Sequence, residues 1–235
     1  EKAKQDKVKY FVYTSSPSVV FGKGDICNED ENIEYPKKYY TDYAESKAMA
    51  EKYIMDNLSD TIQVLSLRPH LIWGPSDPHL IPRIIEKSKN AKLKQVGDGE
   101  NLVDVIFVEN AASAHILALQ AMSKNPKLSG ESYFIGQERP VNLWSFINEI
   151  LALSKCEPVA DRIDFKIAFL VGHFFEVIFS FFGIMKPEPP MTRFIALQLA
   201  KSHYFCHDKA KKDFNYFPNV TIEEGLKLTF MRHPL

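Results

Sequence analysis

The chain has 235 residues, 45% of them hydrophobic and 25% charged, and a formal net charge of −1. Those values suit one sizeable core, or one core with a smaller lobe, and they exclude a global basic field that would draw nucleic acid. Cys27, Cys156 and Cys206 are far apart and form no CxxC pair, which argues against a disulfide framework and a zinc site and suits a reducing compartment.

Residues 1–9 read as the end of a charged helix, and Val8–Ser15 (VKYFVYTS) as a buried strand rich in β-branched and aromatic residues. Pro17 to Tyr40 reads as loop, and Asp42 to Leu58 as a helix whose Ala44, Lys47, Ala48, Glu51 and Ile54 keep helical spacing. Ile62–Leu67 (IQVLSL) is a second apolar strand, running into Arg68-Pro69-His70 and the turn Gly74-Pro75. Strand, helix and strand at this spacing form a βαβ unit, so a parallel sheet is expected. Leu80–Asn90 is a helix, Gly97-Asp98-Gly99 a turn, Asn101–Val108 a short strand and Glu109–Met122 an Ala-rich helix. Ser132–Gly136 is a strand, and Asn142–Ser154 a helix capped by Asn142. Phe165–Met185 then holds seven phenylalanines, with Lys166, His173 and Glu176 as its strongly polar residues, and Pro187, Pro189 and Pro190 follow. Residues 192–235 are mixed in composition and helical in tendency.

The chemistry concentrates in Tyr43-Ala44-Glu45-Ser46-Lys47. Residues four apart on a helix share a face, so a phenol and an ammonium are brought side by side. A phenol of pKa ~10 is a poor base at neutral pH unless a cation favours its phenolate. With Lys47 beside it, Tyr43 can exchange a proton with a substrate oxygen while hydride moves at the adjacent carbon. The preceding strand ends in Thr14-Ser15-Ser16. The C-terminal edge of a parallel strand is where ligands bind in open α/β sheets, and a serine there can hydrogen-bond the same oxygen.

Five segments carry a resemblance: VYTSSPSVVFG at 12–22, YYTDYAESKAMAEK at 39–52, LRPHLIWGPSDPHLIPRIIE at 67–86, GDGENLVDVIFVENAASAHILA at 97–118, and the stretch from PPMTRF to KAKKDFNYFPNVTIEEGL. With them the chain resembles an extended short-chain dehydrogenase/reductase. More narrowly it is similar to the 3β-hydroxysteroid dehydrogenase family, above all its sterol-4α-carboxylate 3-dehydrogenase (decarboxylating) branch. The resemblance implies an incomplete Rossmann-type parallel sheet over residues 1–135, with interleaved substrate-lobe segments, and a smaller C-terminal substrate lobe over 136–235. It implies NAD(P)-dependent oxidation of a 3β-hydroxyl on a sterol or steroid, with decarboxylation where a 4α-carboxylate is present. Tyr43 would be the acid/base, Lys47 its partner and a holder of the nicotinamide ribose, and Ser16 the oxygen-polarising hydroxyl, with Ser15 as the alternative register. Pro69 and His70 would meet the nicotinamide of NAD or NADP through backbone; Ser16, Pro17, Leu71, Trp73 and Gly74 would border the substrate. Val103 stands where nucleotide-sugar members carry an arginine, which argues for an apolar substrate.

The family's glycine-rich dinucleotide fingerprint is not found. The resemblance therefore implies a fragment or a truncated product, with tight cofactor binding absent from the isolated chain. The alternative is an inactive truncated isoform acting as a binding or membrane-associated module. Segment 165–185 approaches the ~20 apolar residues that span a bilayer, but ionisable residues near its middle argue against a simple span. A membrane-surface helix, a lid over an apolar pocket and a core helix all remain open; the resemblance favours the first. It implies a membrane-associated protein at a cytoplasmic face, that of the endoplasmic reticulum in a eukaryote. A homodimer is a further possibility.

Overall fold

The β-branched and aromatic run near the N-terminus pairs where its pattern places it. In the computed structural model, which describes residues 2–22, 24–58, 61–183 and 189–232, a short helix α1 (Lys2–Gln5) leads into β1 (Tyr10–Thr14) and, after a tight turn at Pro17–Val20, β2 (Ile26–Glu29). Helix α2 (Asp42–Leu58) follows; the Thr41 hydroxyl accepts from the Ala44 N–H at 3.2 Å, and Asp42 and Glu45 complement the positive end of the helix dipole. The chain returns as β3 (Gln63–Pro69) and β4 (Ile72–Trp73). β1 pairs parallel with β3 from Tyr10–Gln63 to Thr14–Leu67, so the expected βαβ unit is present.

Helix α3 (Leu80–Lys89), β5 (Gln95–Val96), β6 (Leu102–Val103), β7 (Ile106–Phe107) and α4 (Val108–Lys124) come next. β8 (Glu131–Ile135) adds in parallel to the other edge of β3, giving the order β1-β3-β8. β9 (Val141–Asn142), α5 (Leu143–Leu153), β10 (Arg162–Ile163), α6 (Phe165–Phe181), α7 (Arg193–Ala200), β11 (His203–Phe205), α8 (Asp208–Phe214) and α9 (Ile222–Arg232) complete the described chain. A second sheet runs β2-β11-β6-β9, and β5/β10 and β4/β7 form parallel pairs.

The expected single strand at Asn101–Val108 is two short strands in different sheets. The break is Asp104, a buried carboxylate that accepts from the Phe205 N–H at 2.9 Å and from His207 at 3.0 Å. A buried charge needs such partners, and satisfying them takes the chain out of a continuous ladder. The loop expected at Pro17–Tyr40 contains β2, and the tail contains β11; the two pair through His203–Ile26 and Tyr204–Cys27.

One core lies between α3, α5, α7 and α9, around Trp73, Phe107, Trp144 and Phe146. Another packs α4 against the β1-β3-β8 sheet, and Ala210, Phe214 and Tyr216 from the C-terminal part complete it. The C-terminal hundred residues therefore serve both cores. Helix α6 buries Ala168 and Gly172 and turns Ile167, Leu170, Phe174 and Val177 outward, with Phe174 61% exposed. A Cβ at Gly172 would meet the Thr192 carbonyl carbon at 2.5 Å, so glycine permits the close approach of α6 to the start of α7. Glu176 accepts from the Arg193 backbone and side chain at 2.7 and 2.6 Å, which accounts for a carboxylate in this apolar helix. No helix among the described residues is long and apolar enough to cross a membrane; 184–185 and Pro187, the end of the apolar segment and its first proline, lie outside the described residues.

Candidate active site

Helix α2 carries Tyr43, Lys47 and Glu51 at successive four-residue steps, which aligns them along one face. The Lys47 ammonium donates to the Thr14 carbonyl at 2.7 Å and lies 5.0 Å from the Tyr13 ring centroid, so it is docked on the C-terminal end of β1. Tyr43, one turn before it, is 55% exposed and open to a ligand. The Tyr13 phenol is pushed up, first by burial and then by Glu51 and Tyr43, and so remains a neutral neighbour of the pair.

Just beyond β1, Ser15 is buried and its N–H donates to Leu67 at 2.7 Å, continuing the tie to β3. Ser16 caps the turn at Pro17–Val20, its oxygen accepting from the Ser18 N–H at 3.2 Å. That bond uses a lone pair and leaves the hydroxyl proton to donate. Thr14 lies 2.8 Å from His115 Nε2, while His115 Nδ1 is 2.7 Å from the Ala111 carbonyl. A carbonyl only accepts, so Nδ1 carries the proton and Nε2 accepts from the threonine.

Two turns below Tyr43, Glu51 is 0% exposed. It accepts from Ser66 at 2.7 Å, from Arg68 at 2.6 Å, and from the Tyr35 hydroxyl. Burial raises the Glu51 carboxyl, but hydrogen bonds and charge from Arg68 outweigh it and hold the group below its ordinary value. This network fixes α2, and with it Tyr43 and Lys47, against β3.

At the end of β3, Pro69 lies opposite Ile135 in the ladder, and His70 turns its ring inward, with Nε2 2.7 Å from His203 Nδ1. His203 Nε2 lies 3.0 Å from the Gln198 carbonyl and must donate there, so its Nδ1 accepts from His70. Burial lowers both imidazoles; for His70 the nearby His203 adds to it.

The structure thus gathers Tyr43, Lys47, Ser15 and Ser16 around the end of β1, with Pro17 buried in the adjoining turn. Leu71 is half-buried and follows His70. Trp73 and Gly74, expected at the substrate border, have packing roles instead. Trp73 is 1% exposed and meets Phe107 and Phe146 edge-on at 5.7 and 5.3 Å. A Cβ on Gly74 would run into the Val108 side chain. The sequence reasoning missed Arg68, Tyr35, His115 and His203; a charged residue closing an otherwise apolar strand was the available signal for Arg68.

The donor set fits the nicotinamide end of a dinucleotide. Lys47 has three N–H donors and commits one to Thr14, leaving two for ribose hydroxyls. All these groups stand at the C-terminal edge of parallel strands.

The model of the 3-beta hydroxysteroid dehydrogenase/isomerase family matches residues 1–161. A 2-alkyl-3-oxoalkanoate reductase from Shewanella oneidensis is 42% identical over 229 residues, covering 94% of this chain and 59% of the relative. A decarboxylating sterol-4-alpha-carboxylate 3-dehydrogenase from Mus musculus is 32% identical over 233 residues, covering 97% of this chain and 64% of the relative. This chain therefore spans about three fifths of the length of these relatives. Among solved structures, a UDP-glucuronic acid 4-epimerase from Bacillus cereus in complex with NAD superposes with a TM-score of 0.67 at 18% identity, covering 97% of this chain and 62% of that one. That likeness shows the fold, an α/β arrangement of Rossmann type.

Proposed function

We infer an activity from one premise: the chain belongs to the 3-beta hydroxysteroid dehydrogenase/isomerase family. We propose that the protein interconverts a secondary alcohol and a ketone at the carbon β to a carboxylate on an apolar frame, with NAD or NADP as partner. The names of the two relatives share that chemistry. A 2-alkyl-3-oxoalkanoate has its ketone two carbons from the carboxyl carbon, and a sterol-4α-carboxylate 3-dehydrogenase works on the carbon next to the one bearing the carboxyl. Both names describe a β-oxygenated acid whose central carbon is alkylated. The frame is either an open alkyl chain or a sterol ring system.

When bound, the nicotinamide donates or accepts the hydride. Tyr43 gives its phenolic proton to the oxygen as the ketone becomes an alcohol, and takes it back in the reverse direction. Lys47, held on Thr14, stabilises the phenolate in between. Ser16 directs its hydroxyl proton at the same oxygen and polarises the carbonyl. In the oxidative direction the product is a β-keto acid, which can lose carbon dioxide because the ketone takes up the electron pair. The outward apolar face of α6 supports a further reading, peripheral contact with a lipid surface.

The observation that carries the proposal is the Lys47–Thr14 bond, which parks the ammonium at the strand end one helical turn from an exposed Tyr43. The test supplies NADH or NADPH with a 2-alkyl-3-oxo acid, and NAD or NADP with a 4-carboxysterol. Loss of reduced nicotinamide with formation of the 3-hydroxy acid, or reduction of nicotinamide with the sterol, is expected. No reaction in any combination, with nicotinamide still bound, would reduce the protein to a binding module.

A further inference from the structure

The residue that holds Lys47 is itself held from the opposite face of the sheet. Side chains alternate along β1: Phe11 and Tyr13 pack with Ile54 of α2, while Tyr10 and Val12 pack with Ala111 and Ala114 of α4. Thr14 continues the second set, and its hydroxyl reaches His115 on α4 at 2.8 Å. Backbone groups alternate as well. Ser15 donates its N–H to Leu67 across the β1–β3 pair, so the Thr14 carbonyl, one residue earlier, points to the other side of the strand, an edge that no described strand covers. Lys47 comes to that carbonyl from the α2 face, over the Tyr13 ring. His115 has its Nδ1 committed to the Ala111 carbonyl one turn back on α4, which leaves Nε2 as a fixed acceptor for the threonine hydroxyl. A single residue at the strand end is therefore gripped by a helix on each face.

We propose that His115 is a positioning residue: through the Thr14 hydroxyl it sets the carbonyl on which Lys47 docks, and so decides where the ammonium stands relative to Tyr43. The inference rests on the activity proposed above for what Lys47 does there. Thr14 is exposed and is the last residue of β1, so the ladder holds its following peptide from the β3 side alone. Anchoring the hydroxyl on α4 gives that peptide one orientation. Without the anchor the carbonyl swings and the ammonium turns to water. A neutral hydrogen bond of this kind shifts an equilibrium by about two- to tenfold, which sets the size of the effect expected at Lys47.

The test is competitive acetylation by trace acetic anhydride, read lysine by lysine from peptide masses, which needs neither cofactor nor substrate. An ammonium docked on a carbonyl reacts slowly, because it must leave that bond and shed a proton before its nitrogen can attack. His115→Leu and Thr14→Val should each speed labelling of Lys47 by about two- to tenfold, and the double variant no more than either alone. His115→Gln, whose amide oxygen accepts in place of Nε2, should keep the wild-type rate. Lys52, over the Tyr35 ring further along α2, and Lys209, bonded to Glu131 and Ser132, are internal standards that should not change. Lys47 labelled at the wild-type rate in both His115→Leu and Thr14→Val, His115→Gln matching His115→Leu, or all three lysines speeding together overturns the proposal; the last result is general loosening of the fold. In turnover, His115→Leu should lower kcat and raise the nicotinamide KM, and should change neither further in a Lys47→Ala background; a further loss there means that His115 acts without Lys47 and overturns the proposal too. The two proposals fail separately. Lys47 released in the variants of a protein that turns nothing over removes the dehydrogenase reading and keeps the clamp; wild-type turnover with Lys47 equally reactive in every variant does the reverse.

Discussion

Replacing Glu51 by glutamine tests the frame that holds Tyr43 in place. Glu51 and Arg68 are 0% and 3% exposed, with 2.6 Å between Oε1 and Nη2. Removing one partner of such a pair leaves an uncompensated buried charge, at a cost of about 3–5 kcal/mol. The loss falls on Arg68, whose guanidinium otherwise faces the rings of Tyr35 and Phe134 and cannot recover water there. For a chain of this size each kcal/mol lowers the melting temperature by about 2–4 °C, so a fall of roughly 6–20 °C is expected. Urea unfolding should show a lower midpoint with an unchanged slope. A double change, Glu51→Met with Arg68→Met, should be less damaging than either single one, because no charge is then stranded. A Glu51→Gln protein within about 1 kcal/mol of wild type would refute the claim that this pair is buried and coupled.

Burial holds His70 and His203 below the usual imidazole pKa, so the unfolded chain binds more protons than the folded one as pH falls through about 6.5. The stability these groups contribute is present above that pH and is lost below it. The urea midpoint should therefore drop between about pH 7.5 and 5.5, and the drop should shrink in His203→Asn; a pH-independent wild type would contradict the neutral pair. Glu51, held low, loses its contribution only at more acidic pH, so the two effects separate. Gly172→Ala drives a methyl group into the Thr192–Arg193 backbone and should cost about 1–3 kcal/mol in thermal unfolding, whereas the same change at Gly22, where a Cβ meets nothing within 4 Å, should cost far less. If α6 lies on lipid, co-sedimentation with anionic vesicles should fall sharply in Leu170→Glu/Phe174→Glu, with the melting temperature little changed.

The elements that set up the chemistry were legible because their signals are local. The β-branched run of β1, the helix-forming stretch with Tyr43 and Lys47, and the apolar β3 each read correctly within a few residues. Features held by distant partners were not legible. Asp104 interrupts an apolar run for the sake of bonds to Phe205 and His207, about a hundred residues later. β2 and β11 are short and come from distant parts of the chain, and beside their pairing Asp25 accepts from the Ser202 N–H at 2.8 Å. His70 and His203 are 133 residues apart, and no spacing rule joins them. The tryptophan expected to face a ligand sits instead in the core, because its neighbours Phe107 and Phe146 close over it.

The most direct test of the whole account is single-turnover reduction of a 2-alkyl-3-oxo acid by wild-type protein and by Tyr43→Phe, with nicotinamide affinity measured in parallel. Loss of the phenolic proton should slow the chemical step by about 10²- to 10⁴-fold while nicotinamide affinity, for which Lys47 is proposed, changes little. A Tyr43→Phe protein that turns over at the wild-type rate would remove Tyr43 from the reaction and leave the geometry at the end of β1 without its assigned chemistry.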